Sequence, residues 1–404
     1  MRSCPGLLLA LALALAAEAA APLCDLAQCG PLNVSASGRF LATRQGRPFY
    51  YVADTPWHLL QDVSLPEATE FIDARLSQGF TALQLNALGL GDDPNAQGDW
   101  FGNWTNLNED YWAHVDAVLL YMQRKGMAAY VVPVWTYNWA CGVARVPHCA
   151  TLVDHFTFGK LLGARWKAFG NVLWVLGGDT HRPPVDKWRQ LLAGIRAGGA
   201  QQLVSAHASA PGSSSALMPN ELSFYSVQNR AGRTGGGGTP AGTTGSLVLH
   251  DVISQRRTPT LMAETWYESA VDGGLYNLHY RRGPLLREAY WGARLAGSLG
   301  DAYGEWGGWC SSGLSPPHDA SCGAKNATPG WKSDLTLNGA GDISGVMKKI
   351  LMTVEWSQLT LDGYPDRCVF PAAGGNTTTA RLYVAHTDAG AGTDAAVVVY
   401  AFLA

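Results

Sequence analysis

From residue 49 the chain alternates short apolar runs with longer stretches of helical period. The apolar runs fall at 49–53, 82–87, 128–134, 172–176, 202–206, 222–227, 259–263 and 297–303. Several are dominated by Val, Ile, Leu, Phe and Tyr with little polar alternation, as expected of parallel strands covered on both faces. Helical spacing fills 66–78, 109–125, 153–169, 185–197 and 281–295. The first of these opens on Ser64-x-x-Glu67, a capping box that predicts its start. Eight strands with helices between most of them predict an α/β fold, a (β/α)8 TIM barrel. A doubly wound open sheet is the rival, but no G-x-G-x-x-G follows the first strand. The Gly/Thr-rich stretch 232–245, ahead of the seventh strand, reads as a flexible loop. After residue 351 the period falls to two, with runs at 381–385 and 395–402 between Gly, Asp and Thr turns. A barrel domain over 35–365 and a short, partial β-sandwich-like module over 366–404 are therefore expected.

The first residues set the compartment. Arg2 precedes an unbroken run of Leu, Ala and Gly from Gly6 to Ala17, and small residues follow to Ala21, so 1–21 reads as a cleaved signal peptide. The apolar run is short for a membrane span. A secreted, extracellular protein is expected, with no membrane partner once the signal is removed. Cysteine usage agrees with an oxidising compartment: Cys24–Cys29, Cys141–Cys149 and Cys310–Cys322 would close short loops, leaving Cys368 over. Sequons stand at Asn33, Asn103, Asn326 and Asn376. A net charge of −3 without Lys/Arg runs argues against nucleic acid. Fifteen Trp residues among few charges suit sugar-stacking surfaces, although most will fill the core.

In barrel enzymes the chemistry hangs from the C-terminal ends of the strands. Here those ends carry Asp54-Thr55-Pro56-Trp57, Asn86, Trp135 with Tyr137, Gly177-Gly178-Asp179, His207, Gln228, Glu264, and Tyr303 with Glu305. No cluster of His or Cys supplies the roughly three ligands that zinc needs, and no cofactor is implied. Two carboxyls, Asp179 and Glu264, suit glycoside hydrolysis: one protonates the leaving oxygen while the other attacks the anomeric carbon or activates water. Asp179 could instead cap the following helix, and Glu264 could pair with a buried Arg such as Arg230. Asp54, Trp57, Asn86, Trp135, His207, Gln228, Trp266, Tyr267 and Tyr303 are the candidate sugar contacts, Asp54 also fitting a loop cap.

These residues carry a resemblance. Ala53-Asp54-Thr55-Pro56-Trp57, Gly79-Phe80-Thr81-Ala82-Leu83-Gln84, Pro94-Asn95-Ala96-Gln97-Gly98-Asp99, Tyr111-Trp112-Ala113-His114-Val115-Asp116, the run from Asn171 to Asp179, and Glu264-Thr265-Trp266-Tyr267-Glu268 together resemble the apiosidase-like glycoside hydrolases. The resemblance spans 38–365 in the family's order and implies Asp179 as acid/base and Glu264 as nucleophile. The strand-four and strand-seven order is also that of the large barrel clan of retaining glycosidases. It further implies that 366–404 corresponds to a module often labelled collagen-binding-like. Three departures bear on the sugar: Ala263-Glu264-Thr265 replaces the usual Gly-Glu-Pro, Thr180 follows Asp179 where an Arg is usual, and Tyr303-Gly304-Glu305-Trp306 stands where relatives more often carry a His. The resulting expectation is an exo-acting, retaining hydrolase of cell-wall-type oligo- or polysaccharide, first of apiosyl or similar pentofuranosyl linkages. A retaining pair would stand about 5–5.5 Å apart rather than about 6.5–9.5 Å. An inverting enzyme with the same pair and an inactive carbohydrate-binding barrel are the alternatives. The oligomeric state is not legible.

Overall fold

A computed structural model describes residues 24–88, 94–135, 154–179, 184–228, 258–265, 267–268, 283–305, 331–352 and 356–358, the single positions 248 and 307, and the backbone of four strands beyond 359. The expected barrel is present. Its parallel strands are β1 (Tyr51–Asp54), β2 (Ala82–Asn86), β3 (Ala128–Val132), β4 (Val172–Gly177), β5 (Val204–His207), β6 (Tyr225–Gln228), β7 (Thr260–Glu264) and β8 (Gly300–Glu305). They pair in the circular order β5-β4-β3-β2-β1-β8-β7-β6. The ring is joined between β5 and β6 by Ser223 N–H donating to Val204 O at 2.8 Å and by the Ser205 and Ser226 hydroxyls, 2.8 Å apart.

Outside lie α1 (Leu65–Gln78), α2 (Glu109–Arg124), α3 (His155–Trp166), α4 (Val185–Ala197) and α5 (Gly283–Leu295). Helix α1 starts where the capping box placed it: the Glu67 carboxylate accepts from the Ser64 backbone N–H at 3.0 Å and from its hydroxyl at 2.6 Å. Helices α3 and α4 touch through glycines, and a Cβ at Gly159 or Gly163 would land on the α4 backbone, one at Gly194 on that of α3. Between β5 and β6 the structure has no α-helix, only the two residues Gly212–Ser213 paired antiparallel to β6 and a short turn at Ser214–Ala216.

Alternation along each strand sorts its side chains into two layers. Tyr51, Ala53, Ala82, Ala128, Tyr130, Val132, Leu173, Val175, Phe224 and Leu261 fill the barrel interior. Val52, Leu83, Leu85, Ala129, Val131, Trp174, Leu176, Tyr225 and Met262 face the helices. The N-terminal segment joins the interior layer through Leu26, Cys29, Leu32, Leu41 and Phe49 and closes the barrel's floor. Its turn at Leu26–Cys29 carries the expected Cys24–Cys29 disulfide. The other two expected disulfides, and the 232–245 loop, lie outside the described residues. Beyond the barrel, Arg367–Pro371, Thr377–His386 and Val397–Leu403 form an antiparallel sheet, with Thr360–Leu361 also paired to Thr377–His386.

Candidate active site

The mouth is built by the strand ends whose side chains point inward. On β5, Ser205 and His207 alternate inward while Val204 and Ala206 face the helices. His207 is fully buried. Its Nε2 stands 2.9 Å from Glu264 Oε2 and 3.4 Å from Asp179 Oδ1, and its Nδ1 lies 3.4 Å from the Tyr130 hydroxyl. Burial pushes the imidazole down, but the hydrogen bonds and charges of Asp179 and Glu264 outweigh it and raise the group to about 9.

Asp179 reaches this point through two glycines. Gly177 and Gly178 hold φ of 99° and 144°, conformations L side chains rarely adopt. A Cβ at Gly177 would also strike the Trp188 ring. The pair turns the chain off β4, with Gly178 N–H bonded to His207 O at 3.3 Å, and sets Asp179 over the imidazole. Its side chain is 16% exposed, against 2% for Glu264.

Glu264 reaches the mouth through an irregularity. Ser226 pairs with Leu261 and Val227 with Met262, but Gln228 pairs with Glu264, so Ala263 is an extra residue in β7. Without that bulge Gln228 would face Ala263. With it, Glu264 turns in beside Gln228, whose Nε2 donates to Glu264 Oε2 at 2.7 Å. One carboxylate oxygen thus meets both an amide and an imidazole, which fixes its rotation.

Aromatic rings pack around the imidazole. The Trp57 and Trp135 centroids are 5.0 Å apart, and they stand 5.4 Å and 5.1 Å from the His207 ring. Trp57 Nε1 donates to the Tyr267 hydroxyl at 2.8 Å, tying the β1 loop to the segment after β7. Asn86 has the inward parity of Ala82 and is buried, and its N–H bonds Trp57 O at 2.9 Å. The structure therefore brings together Asp179, Glu264, His207, Gln228, Trp57, Trp135, Tyr267 and Asn86. Trp266 lies outside the described residues.

Two expected sugar contacts are placed elsewhere. Asp54 shares the outward parity of Val52, is fully buried, and meets Arg75 Nε of α1 at 2.6 Å behind the barrel wall. Glu305 joins the same guanidinium at 2.9 Å. Burial, aided by Asp54 and opposed by Arg75, holds the Glu305 carboxyl well above its ordinary range. Tyr303 also faces outward, packs near Phe80, and donates to Glu268 Oε2 at 2.7 Å. Asp54 and Tyr303 are thus turned away from the mouth, contrary to the sugar-binding expectation. Arg75 was not anticipated. Its signal was its place on the buried stripe Ala68, Phe71, Ile72, Arg75 of α1.

The donor atoms of Asp179, His207 and Glu264 all lie within 4.8 Å of one another, the one such His/carboxylate cluster among the described residues. A cation could be held there, but paired carboxyls need none for sugar chemistry. Two acids converging beside aromatic rings at the strand ends of a barrel are the equipment of a glycoside hydrolase. The chain belongs to the apiosidase-like family, whose catalytic-domain model, "Apiosidase-like, catalytic domain", matches residues 35–358. Among solved structures it is similar to one titled simply "Glycoside hydrolase", at 21% identity and TM-score 0.71, covering 89% of this chain and 83% of that one. A glycoside hydrolase family 5 protein from Bacteroides vulgatus gives 20% identity and TM-score 0.72 over 89% of this chain and 80% of its own. A family 5 mannosidase from Rhizomucor miehei shares the fold at 13% identity and TM-score 0.54, over 80% of this chain and 98% of its own. No curated protein matches the chain.

Proposed function

We propose that the chain is a retaining, exo-acting glycosidase that removes an apiosyl or similar pentofuranosyl residue from cell-wall-type glycan. The observation that carries the retaining reading is the convergence of Asp179 and Glu264 carboxylate oxygens within 4.8 Å. That gap lies closer to the roughly 5–5.5 Å of retaining pairs than to the roughly 6.5–9.5 Å of inverting ones, and so favours a retaining cycle. Glu264, its rotation fixed by Gln228 and His207, attacks the anomeric carbon as the glycosidic C–O bond breaks. Asp179, the more exposed of the two, gives its proton to the leaving oxygen. In the second half Asp179 takes a proton from water, the water oxygen bonds the anomeric carbon, and the electron pair of the ester bond returns to Glu264.

Trp57, Trp135 and Tyr267 offer faces for the sugar ring, and Asn86 and Gln228 hydrogen-bonding groups for its hydroxyls. Trp266 belongs to the same proposal from its place in the motif. Family membership supports the apiosyl linkage as first choice. The signal-like 1–21 segment and the Cys24–Cys29 disulfide support secretion, with glycans on exposed sequons such as Asn33 and Asn103.

The test is incubation with a 2-deoxy-2-fluoro aryl furanoside followed by peptide mass spectrometry. A fluoroglycosyl adduct on Glu264 is expected. Turnover of apiosyl oligosaccharides with inverted product and no adduct would move the enzyme to the inverting class, and no turnover of any cell-wall glycan would leave a binding protein.

A further inference from the structure

The buried imidazole between the two acids has a role that sugar binding does not describe. Both His207 nitrogens are engaged by the protein: Nε2 by the two carboxylates, Nδ1 by Tyr130. The ring is fully buried and boxed by Trp57, Trp135 and Tyr130, with centroids 5.4, 5.1 and 6.5 Å away. It has no face left for a substrate hydroxyl. What it has is one N–H aimed between two groups that exchange charge during a retaining cycle.

We propose that the Nε2–H of His207 follows the negative charge through turnover, bonded to Glu264 in the resting enzyme and to Asp179 in the glycosyl-enzyme. This rests on the retaining assignment above. In the resting enzyme Glu264 is the anion and Asp179 carries the acid proton, and the shorter Nε2 contact is indeed to Glu264, 2.9 Å against 3.4 Å. When the glycosyl ester forms, Glu264 becomes neutral and Asp179, having given its proton to the leaving oxygen, becomes the anion. The imidazolium proton goes to neither; only its hydrogen bond changes partner, and the walls of the box let it do so without rotating the ring. Hydrolysis of the ester reverses the sequence. His207 is thus a positioning residue that serves both half-reactions with a donor already in place. The ionisable groups facing it are Asp179 from the β4 end, Glu264 from β7 and the Tyr130 hydroxyl from β3, with the neutral Gln228 amide beside Glu264. A charge that persists through neutral pH fits an imidazole raised to about 9.

The test compares wild type with His207→Gln, which keeps an N–H donor and loses the charge, using an apiosyl disaccharide, whose leaving oxygen needs the acid proton. A fall in kcat of about 10²-fold is expected, with both half-reactions slowed and KM changed by less than about threefold. Both limbs of the pH–rate bell should move to higher pH, since removing a cation raises both carboxyl groups. A raised KM with an unmoved bell would make His207 a sugar contact, and lost stability with an unmoved bell would make it a packing residue. Either outcome overturns the proposal. If His207→Gln fails to fold, histidine ¹⁵N NMR on the wild-type protein decides instead. Nε2 should stay protonated to about pH 8, and its resonance should move when Glu264 is trapped by the fluorinated sugar. A neutral ring at pH 7, or an Nε2–H unmoved by trapping, overturns the idea. The retaining assignment fails separately, if wild-type turnover gives inverted product and no adduct forms on Glu264.

Discussion

Replacing Arg75 by Met should unfold this barrel far more readily than its distance from the substrate suggests. The guanidinium is fully buried, meets Asp54 at 2.6 Å and Glu305 at 2.9 Å, and lies 5.3 Å from the centroids of both Phe71 and Phe80. Its other bond is from Nη1 to Gln78 Oε1 at 2.8 Å. Met keeps most of the apolar stem but leaves two buried carboxyls facing each other without a cation. Removing one partner of a buried ion pair costs about 3–5 kcal/mol. The loss has a pH signature. The Glu305 carboxyl is held above its ordinary range by burial first and by Asp54, and Arg75 is what pulls it back. In Arg75→Met it rises further. A carboxyl raised in the folded state penalises folding only above its unfolded value of about 4.3. The deficit should therefore be smallest near pH 5 and grow toward pH 8. Urea denaturation at the two pH values measures it, and adding Asp54→Asn with Glu305→Gln should restore at least about 2 kcal/mol at pH 8, because neutral groups need no cation. An Arg75→Met protein within about 1 kcal/mol of wild type at pH 8, or one with the same deficit at both pH values, would refute the reasoning.

The two acids should separate by substrate: Asp179→Ala keeps turnover of aryl glycosides with good leaving groups but loses about 10²–10⁴-fold on natural glycans, while Glu264→Ala is inactive on both and regains some turnover with azide, giving inverted product. Equal losses for Asp179→Ala on both substrates, in steady-state assays, would remove it from the acid role. Gly194→Ala should cost about 1–3 kcal/mol in urea melts, since its Cβ would land on Phe156 O and force α3 and α4 apart. Cys141–Cys149 and Cys310–Cys322 are expected as disulfides in the secreted protein; free thiols in unreduced peptide maps would exclude them.

The elements were legible because their periods are long and clean. Each of the five helices and eight strands begins within three residues of its sequence expectation, and α4 matches it at both ends. The inward or outward sense of the strand ends was harder to see. Polar residues at the ends of β1 and β8 looked alike in sequence, yet Asp54, Tyr303 and Glu305 follow the parity of Val52 and face α1, whereas His207 follows Ser205 into the barrel. Counting in twos from Tyr51 and Ala53 would have sorted Asp54 correctly. The same count fails at β7, where it sends Glu264 outward, because nothing local in Thr-Leu-Met-Ala-Glu announces an extra residue. There the motif found the acid and strand arithmetic would have missed it. The absent helix between β5 and β6 was foreshadowed only by the Ser- and Pro-rich composition of 209–219.

The extra residue at Ala263 makes the placement of the nucleophile a matter of reading frame as much as of chemistry. The pairing of Gln228 with Glu264 depends on how many residues separate Glu264 from Met262, not on what the intervening one is. A methyl group there is replaceable in principle; its peptide unit is not. Deleting it would remove the bulge and set the carboxylate directly after Met262 in regular register, without the added twist that now turns it in, whereas inserting a second residue would carry the carboxylate past the imidazole it now meets. Position 263 should thus tolerate substitution by small residues and no change in length, a constraint that a comparison of residue identities alone would never display.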